Sequence, residues 1–140
     1  RPPCPIVAVL DHDEHGRSAQ KQLVDFGWTR TREVLSLHSW PDRCMTSNHD
    51  LEMEDLIPPS IWLQLIKDLG DDEMIDSKER CSNSWHFRIS KAGKEHTMER
   101  LRGMLTKSQA ESLVWLAEEI TRRVVLLEKA AESARTHKAR

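Results

Sequence analysis

The spacing of apolar positions changes along this chain, and each change predicts an element. Residues 6–10, IVAVL, form a continuous run rich in β-branched side chains, the pattern of a strand buried on both faces. Residues 14–26 follow as a predicted helix. Ala19, Leu23 and Phe26 fall at helical spacing, Asp13 is placed to cap, Glu14 suits the first turn, and Gly27 is a stop. Residues 33–38, EVLSLH, alternate and predict a second strand centred on Val34 and Leu35. Strand, helix and strand in this order imply a parallel βαβ unit with a right-handed crossover.

Residues 39–50 are rich in turn formers and read as a loop. Pro58 and Pro59 then open a predicted helix over 60–69, with Ile61, Leu65 and Leu69 on one face and Gly70 as its stop. Residues 71–84 are polar and read as a loop, whereas 85–90 alternate Trp85, Phe87 and Ile89 as a half-buried strand. Two helices close the chain. One covers 94–105; the other runs from a Thr106 or Ser108 cap to about residue 134, beyond which the tail is expected to fray. The stripe Leu113, Leu116, Ile120, Val124 and Leu127 on this last helix faces either the core or a partner helix. The expected architecture is α/β: a parallel sheet flanked by helices, with a long C-terminal helix.

Composition narrows the class. With 140 residues, 38% hydrophobic and 31% charged, the chain has the balance of a globular protein with a core. No apolar run approaches the roughly 20 residues of a membrane span, and no secretory signal pattern occurs, so a cytoplasmic location is expected. The opening Arg1-Pro2-Pro3, without an initiator methionine, points to a piece of a longer protein. Cys4, Cys44 and Cys81 form no CxxC pair, so neither a zinc knuckle nor a disulfide framework is expected, in keeping with a reducing compartment. The seven histidines likewise lack HxxxH or HExxH spacing.

The net charge of −2 is not that of a strongly basic nucleic-acid binder, but the charges are unevenly spread. Residues 41–80 hold eleven Asp and Glu against four Lys and Arg; residues 106–140 hold seven Lys and Arg against five Glu. An acidic centre with a mildly basic tail suits a cation site with phosphate contacts further out. It equally suits ordinary solvated faces.

Three motifs carry candidate chemistry. Asp11 and Asp13 end an apolar strand, where α/β sheets bind ligands, and residues two apart in extended chain point the same way. Paired carboxylates there repel and cost desolvation unless water, a basic group or a cation compensates. Mg²⁺ is the natural candidate because it takes oxygen ligands; the ordinary alternative is a helix cap beside a solvated aspartate. Glu52 and Glu54, flanked by Asp50 and Asp55 in "LEMEDLIP", are the densest carboxylate cluster, or else an acidic loop. Lys94 in "SKAGKEHTME", with Lys91 second, is placed to neutralise a phosphate, or is a surface lysine. Each motif follows a predicted strand, so one sheet edge is expected to gather Asp11, Asp13, Glu54 and Lys94. Carboxylate-held metals beside a lysine suit phosphodiester hydrolysis.

The residues "IVAVLDHDEHGRSAQKQL", a strand, "MEDLIP" and "GKEH", within 5–105, resemble the later part of a Toprim domain, nearest to that of the overcoming-lysogenization-defect (OLD) nucleases. The family's strand-end DxD, acidic residue and glycine match Asp11, Asp13, Glu14 and Gly16. Its downstream metal-binding glutamate corresponds to Glu54, with Glu52 as the register alternative, and its late lysine to Lys94, with Lys91 second. The resemblance implies a Toprim-like, Rossmann-like catalytic domain over 5–105 with a helical extension over 106–140. It implies a Mg²⁺- or Mn²⁺-dependent endonuclease acting on DNA, with a role in phage defence. Glu54 and Lys94 would be catalytic, and Asp11, Asp13, Glu54 and Glu52 would be metal ligands. The implied partners are an ATPase domain or subunit and, through the last helix, a second copy.

Two departures accompany the match. The family's earlier strand-end glutamate has no counterpart before Ile6, so the chain begins inside the domain or is a degenerate copy; and no GxxxxGK[ST] motif is present. A haloacid-dehalogenase-like phosphatase also places DxD after an apolar strand, although Glu14-His15-Gly16 suits it poorly. A non-catalytic helical interaction module is the third expectation.

Overall fold

Four strands and four α-helices form among the residues described by the computed structural model, 4–44, 49–69, 74–81 and 84–139. They fall into two units: Arg1–Trp40 with Trp115–Arg140, and Pro41–Val114.

In the first unit, β1 (Ala8–Leu10) and β2 (Val34–Ser36) pair in parallel, with Ala8 opposite Val34 and Leu10 opposite Ser36. Helix α1 (Glu14–Asp25) connects them, giving the expected strand–helix–strand order. Burial on both faces belongs to β2 rather than to β1. Val34, Leu35 and Leu37 are at most 1% exposed, whereas β1 is half-buried throughout and Ile6 is 60% exposed. Asp13 caps α1, its Oδ1 accepting from the Gly16 N–H at 2.6 Å. The helix ends in a Schellman arrangement around Gly27 at φ 93°, with Gly27 N–H donating to Val24 and Trp28 N–H to Leu23. This turn leaves Phe26 83% exposed, so it is not part of the apolar face of α1.

The chain re-enters the sheet through the turn at Thr29. Burial alone would raise the Glu33 carboxyl, but hydrogen bonds from the Thr29 hydroxyl and N–H outweigh it and hold Glu33 below its ordinary value. Helix α4 (Glu111–Lys138) reaches four residues beyond the expected end at 134. Arg135, His137 and Lys138 in its last turn suit the negative end of the helix dipole, which favours helix over fraying. Thr106 lies in the turn before α4, bonded to Gln109, and is not its cap. The predicted stripe from Leu113 to Leu127 is half-buried. Arg123 anchors α4 to the sheet: it is 4% exposed and donates to the carbonyls of Arg30 and Val34, each at 2.8 Å.

In the second unit, a 3₁₀ turn (Met53–Leu56) leads into α2 (Pro59–Leu69). Ile61, Trp62 and Leu65 are buried, while Leu69 is only half-buried, so the face is rotated slightly from the predicted one; Gly70 lies outside the described residues. Residues 75–81, expected as loop, are strand β3 (Ile75–Cys81), antiparallel to β4 (Ser84–Ile89). Its own pattern is almost wholly exposed, so pairing with β4 makes it a strand, not burial. Among the described residues the strands therefore make two separate two-stranded sheets, and β4 does not extend the β1–β2 sheet. Helix α3 (Lys91–Met104) starts three residues before Lys94, capped by Ser90, whose hydroxyl accepts from Gly93. The core of this unit joins Ile61, Trp62 and Leu65 to Phe87, Ile89 and Leu101. Trp85 stays outside it, with Lys78 and Arg80 over its ring at 5.5 and 6.0 Å. Against the expectation of unpaired thiols, Cys44 and Cys81 are joined in a disulfide.

Candidate functional site

In the first unit, the chemistry collects at the carboxyl ends of the parallel pair. Asp11, His12 and Asp13 leave β1 there, and Ser36 and His38 leave β2. The His12 and His38 rings lie 4.5 Å apart, and His12 Nδ1 is 3.5 Å from the buried Ser36 hydroxyl. Gly16 sets the backbone of the DxD turn. A Cβ at that position would stand 1.8 Å from the Asp11 carbonyl oxygen and 3.2 Å from the Asp13 carboxylate, so only glycine lets α1 begin this close to β1. The spacing of the aspartates and the glycine thus has a backbone cause. Asp13 has one oxygen committed to the cap; Asp11 is half-buried.

In the second unit, the acidic motif divides into separate roles. Glu54 forms an ion pair with Lys94; the carboxylate side chain is 14% exposed and the lysine 48%. The structure thus brings together these two predicted residues. Glu52 turns instead toward Arg88, its Oε1 3.5 Å from Nε. Lys91, the second choice, is exposed in the first turn of α3.

Asp55, treated above only as a neighbour of the glutamates, is the hub. Its side chain is 4% exposed and accepts from His86 Nδ1 at 2.9 Å, Arg88 at 3.2 Å and the Glu52 N–H at 2.8 Å. Arg88 also donates to the Asp50 carbonyl. This network holds the polypeptide on either side of Glu54 against β4. The alternation of β4 carried the missed signal: when Phe87 and Ile89 face the core, His86 and Arg88 must face the other side.

The donor chemistry at Asp11 and Asp13 fits a hard divalent cation: two carboxylates two residues apart on a strand-end turn fixed by Gly16. In the second unit, taken by itself, Glu54 and Glu52 are oxygen donors of the same kind, Glu54 paired to Lys94 and Glu52 to Arg88. Neither the strand-end turn of the first unit nor the 52–54 turn of the second makes, by itself, a cluster of three donor atoms at metal-binding separations among the described residues. No helix among the described residues is long and apolar enough to cross a membrane. No family profile, curated protein or solved structure matches the chain.

Proposed function

We propose that this chain carries the later part of a Toprim-type, divalent-metal-dependent DNA endonuclease of the kind found in OLD nucleases. The observation that carries the reading is the strand-end turn itself. A parallel β1–α1–β2 unit presents Asp11 and Asp13 where α/β sheets bind ligands, with Gly16 sterically obligatory three residues after Asp13. The Glu54–Lys94 pair adds support, because a carboxylate beside an ammonium is what phosphoryl chemistry with a metal and a cationic clamp uses.

In this reading Asp11 and Asp13 of the first unit hold Mg²⁺ or Mn²⁺, and Glu54, with Glu52 as the alternative, is the candidate carboxylate of the second unit. The bound cation supplies an activated water and stabilises the leaving oxygen of the phosphodiester. Lys94 is half-exposed, so its ammonium is accessible to a phosphate oxygen beside Glu54. The protein acts in the cytoplasm on DNA beside an ATPase domain or subunit.

The test is cleavage of plasmid DNA by the protein expressed from its full coding sequence, with Mg²⁺ or Mn²⁺. Asp11→Asn and Glu54→Gln should each lower the rate by at least about 100-fold, equivalent to about 2.7 kcal/mol of transition-state stabilisation. Cleavage persisting in both variants would reject these ligands. Turnover of small phosphoesters, with fluoroaluminate trapped at Asp11, would instead indicate the phosphatase.

A further inference from the structure

The structure assigns a second metal site that is independent of the nuclease reading: a Zn²⁺ centre built from Cys44, His49, Cys81 and His86, whose oxidised, metal-free form is the Cys44–Cys81 disulfide. All four residues belong to the Pro41–Val114 unit. They occur as a repeated pair, cysteine followed five positions later by histidine: Cys44 with His49, and Cys81 with His86. The Cys44 and Cys81 sulfurs and a ring nitrogen of His86 lie within 4.8 Å of one another. The His49 ring is 5.0 Å from that of His86.

The histidines carry the argument further than the sulfurs. His86 is 7% exposed, and its Nδ1 donates to Asp55, which as a carboxylate bonded to Arg88 acts as acceptor. In the neutral ring, that bond puts the lone pair on Nε2. Nε2 is buried and has no hydrogen-bond partner among the described residues. An unpaired buried polar nitrogen is destabilising, and a disulfide between the two cysteines does nothing to relieve it. A metal ion relieves it directly. A metal-bound imidazole usually gives its other N–H to a carboxylate, and His86 on Asp55 has that arrangement. His49 repeats it: Nδ1 lies 3.0 Å from Glu79 Oε1, and the side chain is 12% exposed.

Two thiolates and two neutral imidazoles make the tetrahedral donor set of structural zinc. Such a centre would tie Cys44 and His49 to the end of β3 at Cys81 and to His86 of β4, just before the turn that carries Glu52 and Glu54. Binding to the reduced chain releases one proton from each thiol as Zn²⁺ takes the two thiolates. Conversion of the disulfide form needs a two-electron reductant. A dithiol gives two electrons and two protons to the Cys44–Cys81 bond and leaves as its own disulfide, or a phosphine does so with water and leaves as its oxide.

The test uses the full chain, reduced with a phosphine that does not compete for metal, then dialysed with Zn²⁺ and, separately, with Co²⁺. Native mass spectrometry should show one Zn²⁺ per chain, and the Co²⁺ form should show thiolate-to-metal charge transfer with the intense bands of a tetrahedral site. Cys81→Ser and His86→Ala should lose the tight metal, whereas Cys4→Ser, at the exposed free cysteine, should keep it. Asp55→Asn, which keeps both thiols and both imidazoles, should weaken Zn²⁺ affinity about 10- to 100-fold. A fully reduced wild-type chain that takes up no Zn²⁺, or a Co²⁺ spectrum without the thiolate band, would overturn the assignment whether or not any variant folds.

Discussion

Arg123 shows how much of the first unit depends on one side chain. Its guanidinium is buried and donates to the Arg30 and Val34 carbonyls and to Glu119, so removing it leaves two backbone carbonyls without this donor and Glu119 with Arg122 alone. Arg123→Met should destabilise the protein by about 3 kcal/mol, read from urea unfolding. Arg123→Lys should recover little, since an ammonium cannot reproduce the fork. A loss below about 1 kcal/mol would contradict this. Glu119 makes the same cluster pH-sensitive. Hydrogen bonds from Arg122 and then Arg123, working against burial, hold its carboxyl down to about 2 from an ordinary 4.5. A depressed folded value stabilises at pH above the ordinary one, so this contribution is complete above about 4.5 and is lost as pH falls toward 2. Glu119→Gln should flatten the stability curve across that window; an unchanged acid limb would rule the cluster out as its source.

At the scale of elements, the first turn of α1 makes the sharpest demand on sequence. Gly16→Ala would push a methyl into the Asp11 carbonyl, and the backbone at the end of β1 must move to admit it. We expect a loss of about 1–3 kcal/mol in chemical unfolding, with disturbance of the Asp11–Asp13 turn. A stable variant with unaltered chemical shifts at Asp11 and Asp13 would contradict that close approach. This element was legible in the sequence because its signals are local: a β-branched run, a capping aspartate, an acidic first turn and Gly27. Strand β3 was not, because five of its seven residues are exposed and nothing in IDSKERC alternates. Its partner β4 was recognised, but Trp85 misled, since Lys78 and Arg80 cover a ring that the alternation assigned to the core. The acidic motif was legible as a cluster but not as roles. Only the 3₁₀ turn separates Asp55, buried against His86, from Glu54 beside Lys94 and Glu52 beside Arg88. The Cys44–Cys81 pairing escaped because its partners are 37 residues apart and neither belongs to a CxxC motif.

At the scale of the molecule, the chain supplies mixed α/β structure, a parallel βαβ unit with carboxylates just after the carboxyl end of β1, and a second unit whose polar network holds a carboxylate–lysine pair. The nuclease reading rests on those aspartates tolerating each other because a divalent cation is held between them. Mn²⁺ binding followed by electron paramagnetic resonance reports this directly, without a DNA substrate. The account predicts saturable binding to the wild-type protein, weakened at least about 10-fold, or about 1.4 kcal/mol, in both Asp11→Asn and Asp13→Asn. Equal affinity in all three proteins would contradict it.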